Sequence, residues 1–166
     1  MQPDPNEPVN DWPVPTGEPA REVWYSLVSP RDASVAFWYR YTLLSTASGY
    51  QEGRLWAALT DREDSASSVF VSKSVPLDAV RTARDPFELT IDDSTLTSAQ
   101  ARGEIDAVSW DLSYDPDTYA FTPLRSQRLT DLLSRTVGTG KHWSRNESVF
   151  MNGTVSVGDR TIDLAD

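Results

Sequence analysis

The longest run of apolar and aromatic residues in this chain, residues 35–45 (VAFWYRYTLLS), alternates with a period of two. β-Branched and aromatic residues with this period are typical of a β-strand. Both faces of the strand would be largely apolar, whereas a strand with one wet face alternates apolar and polar residues. One face is therefore expected to pack in a core, and the other to meet a ligand cavity, a second layer or a partner.

Shorter alternating segments predict strands along most of the remaining chain. They cover residues 22–29, 53–60, 68–75, 87–91, 94–97, 101–114, 149–157 and 160–164. A short helical turn is predicted at 77–85, and one short helix at 128–136. Strands at this spacing favour an all-β domain with antiparallel, meandering connections. We expect either an up-and-down barrel or a strongly curved sheet that encloses a cavity.

The chain divides into an extended lead-in and one β domain. Residues 1–20 hold six of the eleven prolines, so this segment is expected to wrap a surface or fray, with Trp12 fixing it to the body. Residues 21–166 form the β domain, in which the irregular stretch 115–145 has the length of a lid or binding loop. The N-terminus lacks the basic and apolar regions of a signal peptide, and no apolar run could span a bilayer. A cytoplasmic location follows as a prediction.

The charge balance narrows the class of partner. The formal net charge is −10, and a nucleic-acid or anionic-membrane partner would need a basic face. Asp outnumbers Glu by 17 to 8, and Arg outnumbers Lys by 13 to 2. A strongly acidic, Lys-poor surface stays hydrated in concentrated salt, which predicts a salt-loving organism. The alternative is a high-GC genome that favours Asp and Arg codons.

The composition also limits the chemistry. The chain has no Cys, which excludes disulfides and thiolate metal sites, and its single His142 excludes a cluster of histidines around a metal. No organic cofactor or metal is expected.

Several aromatic strand motifs resemble a known family in their order. They are Trp24-Tyr25, the run from Phe37 to Leu43, Gly103-Glu104-Ile105, the run from Ser109 to Leu112, and the run from Met151 to Val157. This order resembles the first half of the AttH-like and carotenoid 1,2-hydratase (hydroxyneurosporene synthase) proteins.

The resemblance implies a lipocalin-like β domain, the first of two in tandem. It also implies cofactor-free hydratase or cyclase chemistry on isoprenoid or polyketide substrates. The family's catalytic segment and second domain would follow residue 166, so the second domain is expected to be absent here. No catalytic residue can be carried over, and whether the chain is an enzyme stays open.

Five residues are candidates for binding an apolar, isoprenoid-like small molecule. They are Trp24, Trp38, Arg40, Trp56 and Trp110. Aromatic walls suit such a ligand, and Arg40 would hold a carboxylate or other polar end. The alternatives are that the tryptophans fill the core and that Arg40 pairs with Glu104, Asp106 or Asp111. Asp111 and Glu104 are also candidate acid–base groups if burial raises their pKa values, and His142 is a candidate proton donor.

Three functions remain open at this point. The first is part of a cofactor-free hydratase or cyclase. The second is a non-catalytic, lipocalin-like carrier of an apolar small molecule. The third is an interaction domain that docks a partner through its apolar strand face, the partner being a second lipocalin-like domain or a second copy of the chain.

Overall fold

The computed structural model describes residues 6–116, 120–121, 144–145 and 149–164, and most of them lie in antiparallel strands. The strands are β1 (Ala20–Val28), β2 (Val35–Ser45), β3 (Gln51–Asp61), β4 (Val69–Val75), β5 (Val80–Arg84), β6 (Phe87–Ile91), β7 (Ser94–Thr97), β8 (Gln100–Ile105), β9 (Val108–Tyr114), β10 (Ala120–Phe121), β11 (Ser144–Arg145), β12 (Met151–Val157) and β13 (Arg160–Asp163). The helical elements of the described residues are two 3₁₀ turns, Ser65–Ser67 and Leu77–Ala79. In the described ranges no helix is long and apolar enough to cross a membrane.

Two sheets build the larger of two compact units, which comprises residues 1–114 and 151–166. One sheet has four strands in the order β1-β2-β3-β4, and the other has seven in the order β13-β12-β9-β8-β7-β6-β5. The second unit, residues 115–150, contains the antiparallel pair β10 and β11. The predicted all-β, antiparallel fold is confirmed, and the two large sheets do not close into a barrel.

Most strands lie where the sequence predicts them, and two predictions need correction. Residues 35–45, 87–91 and 94–97 match β2, β6 and β7 residue for residue. The prediction of one continuous strand at 101–114 is wrong, because a two-residue turn at Asp106 and Ala107 divides these residues into β8 and β9. The helical turn predicted at 77–85 is confined to Leu77–Ala79, and the rest is β5. The helix predicted at 128–136 lies outside the described residues.

The inner faces of the two large sheets form one core. From β2 the core receives the odd-numbered side chains Val35, Phe37, Tyr39, Tyr41 and Leu43. In-register partners share a face, so Leu55, Ala57 and Leu59 of β3 extend this surface. The seven-stranded sheet contributes Leu89, Ile91, Ile105, Val108, Trp110, Leu112 and Val155. All of these residues are nearly inaccessible to solvent.

Trp110 lies where the two sheets meet. Its ring stacks on Tyr39, with the ring centroids 6.2 Å apart, and also contacts Phe37 and Tyr41. Across the strand pair it faces Gly103, where an added Cβ would lie only 2.2 Å from Trp110 Cζ2. The ring occupies the space that any other residue at position 103 would need.

Tyr41 links the sheets through its hydroxyl group. Tyr41 Oη lies 3.0 Å from the Thr95 carbonyl oxygen and 2.8 Å from the Arg102 carbonyl oxygen, and it can donate to one of them at a time. Burial, and next the neighbouring Tyr39, raise the pKa of Tyr41. Tyr41 therefore stays protonated in the folded protein at neutral pH.

The carboxylate of Glu22 on β1 accepts several hydrogen bonds from the Pro-rich segment. Glu22 accepts hydrogen bonds from the backbone N–H groups of Val9 and Asn10, at 2.9 and 2.7 Å, and from Trp12 Nε1 at 3.1 Å. The side chains of Trp12 and Val14 are buried in the core cluster. Described residues of this segment therefore pack against the β domain.

Candidate functional site: the outer face of the four-stranded sheet

The outer faces of the two large sheets differ sharply in polarity. The outer side of the seven-stranded sheet carries Glu88, Thr90, Thr95, Thr97, Arg102, Glu104, Ser109, Asp111, Ser113, Asn152, Thr154 and Ser156. This is the ordinary pattern of a solvated sheet face. The outer side of the four-stranded sheet is apolar over half of its length and is the candidate site.

Strand register arranges the side chains of this apolar side in rows across the four strands. The first row is Leu27, Trp38, Ala58 and Phe70. The second row is Tyr25, Arg40, Trp56 and Ser72. We call these two rows the aromatic face. Rows lie roughly 7 Å apart and strands roughly 4.8 Å apart, so the side chains of the aromatic face are rooted in an area of about 14 by 7 Å.

The rings of the aromatic face contact one another and remain accessible. Trp38 and Phe70 stack with their centroids 6.5 Å apart and their planes within 14°, above the small side chain of Ala58 between them. Phe70 also contacts Trp56 at 5.8 Å. Phe70 is 62% exposed, Leu27 67% and Tyr25 58%, while both tryptophans are half-buried. Contiguous apolar surface of this kind commonly marks a binding site.

Two guanidinium groups lie over the same indole ring, and only one is neutralised. The Cζ atoms of Arg40 and Arg54 are 5.9 and 5.1 Å from the centroid of the Trp56 ring, within the range of a cation–π contact. Arg54 Nη2 pairs with Glu52 Oε2 at 2.8 Å. Arg40 Nε donates to Thr42 Oγ1 at 3.0 Å, and no carboxylate among the described residues pairs with Arg40.

The structure brings together three of the five predicted site residues. Trp38, Arg40 and Trp56 lie on the aromatic face. Trp110 lies in the core, and Trp24 is on the inner face of β1, where it stacks on Phe87 at 6.3 Å and donates from Nε1 to the Asn6 carbonyl oxygen. The three grouped residues face outward and not into the space between the sheets. Ligand binding by any of the five stays a prediction.

The remaining candidates take other roles or fall outside the described residues. Arg40 does not pair with Glu104, Asp106 or Asp111, which all belong to the seven-stranded sheet or its turns. Hydrogen bonds from Arg102 and then Gln100 lower the pKa of Asp111. This is the opposite of the raised pKa that a general acid at this position would need. His142 lies outside the described residues.

Three contributors to the aromatic face escape a strand-by-strand analysis of the sequence. Tyr25, Leu27 and Phe70 belong to the edge strands β1 and β4, and nothing in their local pattern distinguishes the outer face from the inner. The signal is the register across β2 and β3, which aligns Leu27 with Trp38 and Phe70 with Ala58.

Searches of protein-family models, curated proteins and solved structures found no match to this chain. The candidate site is therefore defined by its own residues alone. Within residues 6–116 and 149–164, no group of three His, Asp or Glu side chains could hold a metal ion.

Proposed function

We propose that this chain is a binding domain that holds an apolar small molecule on the aromatic face. The contrast between the two outer faces carries the proposal. One is polar throughout its central strands, and the other exposes Leu27 and Phe70 beside two half-buried tryptophans. A sheet face that contacts only solvent normally carries threonine and charged residues, as the outer face of the seven-stranded sheet does.

The interior is the less favourable place for the ligand. The lipocalin-like resemblance implies a ligand between the walls of a barrel. In this chain the side chains of both sheets meet there, with Trp110 stacked on Tyr39. The isoprenoid-like ligand class that the resemblance implies is retained, and its proposed location is the outer face. No catalytic step is proposed, and the cytoplasmic location expected from the sequence stays a prediction.

The area that a flat probe can cover limits the affinity that apolar contact alone can supply. A probe lying flat over the root area of about 14 by 7 Å covers about 100 Å² of protein and a similar area of its own surface, so about 200 Å² leave water. At roughly 25 cal/mol/Å² this contributes about 5 kcal/mol before the entropy cost of association. We therefore expect dissociation constants no tighter than hundreds of micromolar for an uncharged apolar probe.

A titration with 1-pyrenebutanol, an uncharged fluorescent probe, tests the proposal. The variants Phe70→Thr and Leu27→Thr remove exposed apolar groups from the aromatic face and should weaken binding several-fold. Val9→Thr is the matched control, because it removes an exposed apolar group elsewhere. Unchanged affinity in both face variants, or no binding by the wild type, would overturn the proposal.

Docking of a protein partner on the same face is the second candidate. It is favoured by the exposure of apolar side chains on both edge strands, Leu27 on β1 and Phe70 on β4, since the apolar surface then spans the full width of the sheet. Light scattering over a range of concentrations tests a second copy of the chain as the partner. A mass that doubles in the wild type but not in Phe70→Thr would favour docking over ligand binding.

A further inference from the structure

We infer that Arg40 is an anion-binding residue on the aromatic face, and that the ligand is an apolar molecule bearing a carboxylate. This inference rests on the proposed function and names the chemistry of its ligand. It follows from the charge of the face, the orientation of the guanidinium group and the order of the rows.

The charge of the aromatic face is opposite to that of the whole chain. The chain has a formal net charge of −10 and 25 acidic residues, yet no described carboxylate pairs with Arg40. The comparison with Arg54 is direct, because both guanidinium groups lie over the Trp56 ring and Glu52 neutralises only Arg54. Arg40 therefore supplies the uncompensated positive charge in the second row.

The hydrogen bond of Arg40 leaves one edge of the guanidinium group available. Nε is engaged by Thr42 Oγ1, which fixes the plane of the group. The two terminal nitrogens have no hydrogen-bond partner among the described residues and form the pair of parallel donors at the end of the guanidinium group. A planar carboxylate accepts from such a pair through both oxygens, which is the geometry that Arg recognises best.

The order of the rows gives the ligand a direction. The first row is wholly apolar, the second holds Arg40, and the third holds Val23, Thr42, Arg54 and Ser74. A carboxylate on Arg40 would place the apolar body over Trp38 and Phe70, roughly 7 Å farther along the strands. The opposite orientation would put apolar groups on the Arg54–Glu52 ion pair and is disfavoured.

A small ligand fits this arrangement better than an acidic peptide. The described part of the face offers one uncompensated guanidinium group beside the wholly apolar first row. A peptide with several carboxylates would find one counter-charge here and repulsion from the acidic chain elsewhere. A molecule with one carboxylate and one compact apolar body matches both features.

The test compares two probes that differ only in their charged group. 1-Pyrenebutyrate and 1-pyrenebutanol share the same ring and chain length, so the ratio of their dissociation constants reports the anion site. We expect the wild type to bind the butyrate about ten-fold more tightly, the lower end of what a charged hydrogen bond supplies. In Arg40→Gln this ratio should fall to about one, while the affinity for pyrenebutanol stays unchanged. Arg40→Lys should retain part of the ratio, because it keeps the charge without the planar pair of donors.

Arg21→Gln is the matched control for net charge. Arg21 lies on the same side of the sheet, two rows from Arg40, at roughly 14 Å along the strands. This exceeds the Debye length of about 10 Å at 0.1 M ionic strength, so the ratio should stay near ten in this variant. Circular dichroism and urea unfolding of each variant establish that it is folded.

The outcomes separate the inference from the proposed function. Equal binding of both probes by the wild type would overturn the anion site and leave the apolar site intact. No binding of either probe would overturn both. An equal loss of the ratio in Arg21→Gln and Arg40→Gln would show a general effect of positive potential and overturn the assignment to Arg40. Loss of pyrenebutanol binding in Arg40→Gln would make Arg40 a structural residue of the face.

Discussion

Replacing Gly103 by alanine is a direct test of how tightly the two sheets enclose Trp110. The added Cβ would lie 2.2 Å from Trp110 Cζ2 and 2.6 Å from Cη2, whereas carbon atoms in contact lie roughly 3.5–4.0 Å apart. The ring is 2% exposed and stacks on Tyr39 at 6.2 Å, so it cannot move away without disturbing the core. The strand must instead shift or the ring must leave its rotamer.

The expected cost follows from two opposing terms. Overpacking a buried site costs typically 1–3 kcal/mol. Alanine in a strand regains about 0.5–1 kcal/mol relative to glycine, because it has less backbone entropy to lose on folding. We therefore expect Gly103→Ala to lower the free energy of unfolding by about 1–2 kcal/mol. In a Trp110→Leu background the crowding ring atoms are gone, so Gly103→Ala should raise the free energy of unfolding by about 0.5–1 kcal/mol.

Urea unfolding followed by far-ultraviolet circular dichroism measures the four proteins of this cycle. The coupling free energy between positions 103 and 110 should be about 2 kcal/mol, well above the error of such measurements. Gly158→Ala is the control for the coupling. Its Cβ would meet nothing within 4 Å, and its φ of 56° strains an alanine, so its cost should be the same with Trp110 or Leu at position 110. A similar cost of Gly103→Ala in both backgrounds would refute the steric reasoning, as would no cost in the wild type.

Two further predictions concern solvent conditions. The melting temperature should rise steeply between dilute buffer and molar salt, because salt screens the self-repulsion of a chain with net charge −10; an unchanged value would contradict the halophile interpretation. Burial raises the pKa values of Tyr39 and Tyr41 in the folded state, so their contribution to stability is complete below the unfolded pKa of about 10 and is lost as pH rises above it. The part of the tyrosinate absorbance that Tyr41→Phe removes should appear together with the loss of circular dichroism in this alkaline range, and Tyr41→Phe should show a smaller pH dependence of stability. Full ionisation near pH 10 without unfolding would contradict the burial argument.

The sequence predicts best those strands that have turn-forming residues at both ends. The strand at residues 35–45 starts after a Pro-Arg-Asp turn and ends at a Gly-containing loop, and its bounds match β2. The turn between β6 and β7 is also predicted, because Asp92 and Asp93 interrupt two apolar segments. Asp92 has a φ of 54°, a conformation that Asp tolerates better than most residues.

The turn between β8 and β9 is a similar feature that the alternation of the sequence does not reveal. Asp106 has a φ of 53°, nearly the value of Asp92, but Ala107 follows it in place of a second polar residue. No second polar residue interrupts the segment between Ile105 and Val108, so the sequence resembles one continuous strand. Ile105 and Val108 are nevertheless both buried, whereas two residues three apart in one strand would point to opposite faces. That break in phase is the signal of the hairpin.

Which apolar face of β2 packs inside is decided by the neighbouring strands and not by β2 itself. Tyr39 and Tyr41 are buried because their in-register neighbours, Ala57 and Leu55, extend the surface that meets the seven-stranded sheet. Trp38 and Arg40 are left on the other side by the same register, so the sequence of one strand could nominate them as a ligand site but could not say where that site lies. The aromatic face depends on the register of all four strands, since a shift of one residue in β4 would turn Phe70 toward the core. The site and the core are thus fixed by the same strand pairing, and a substitution on the aromatic face can alter binding without removing any side chain that the core uses.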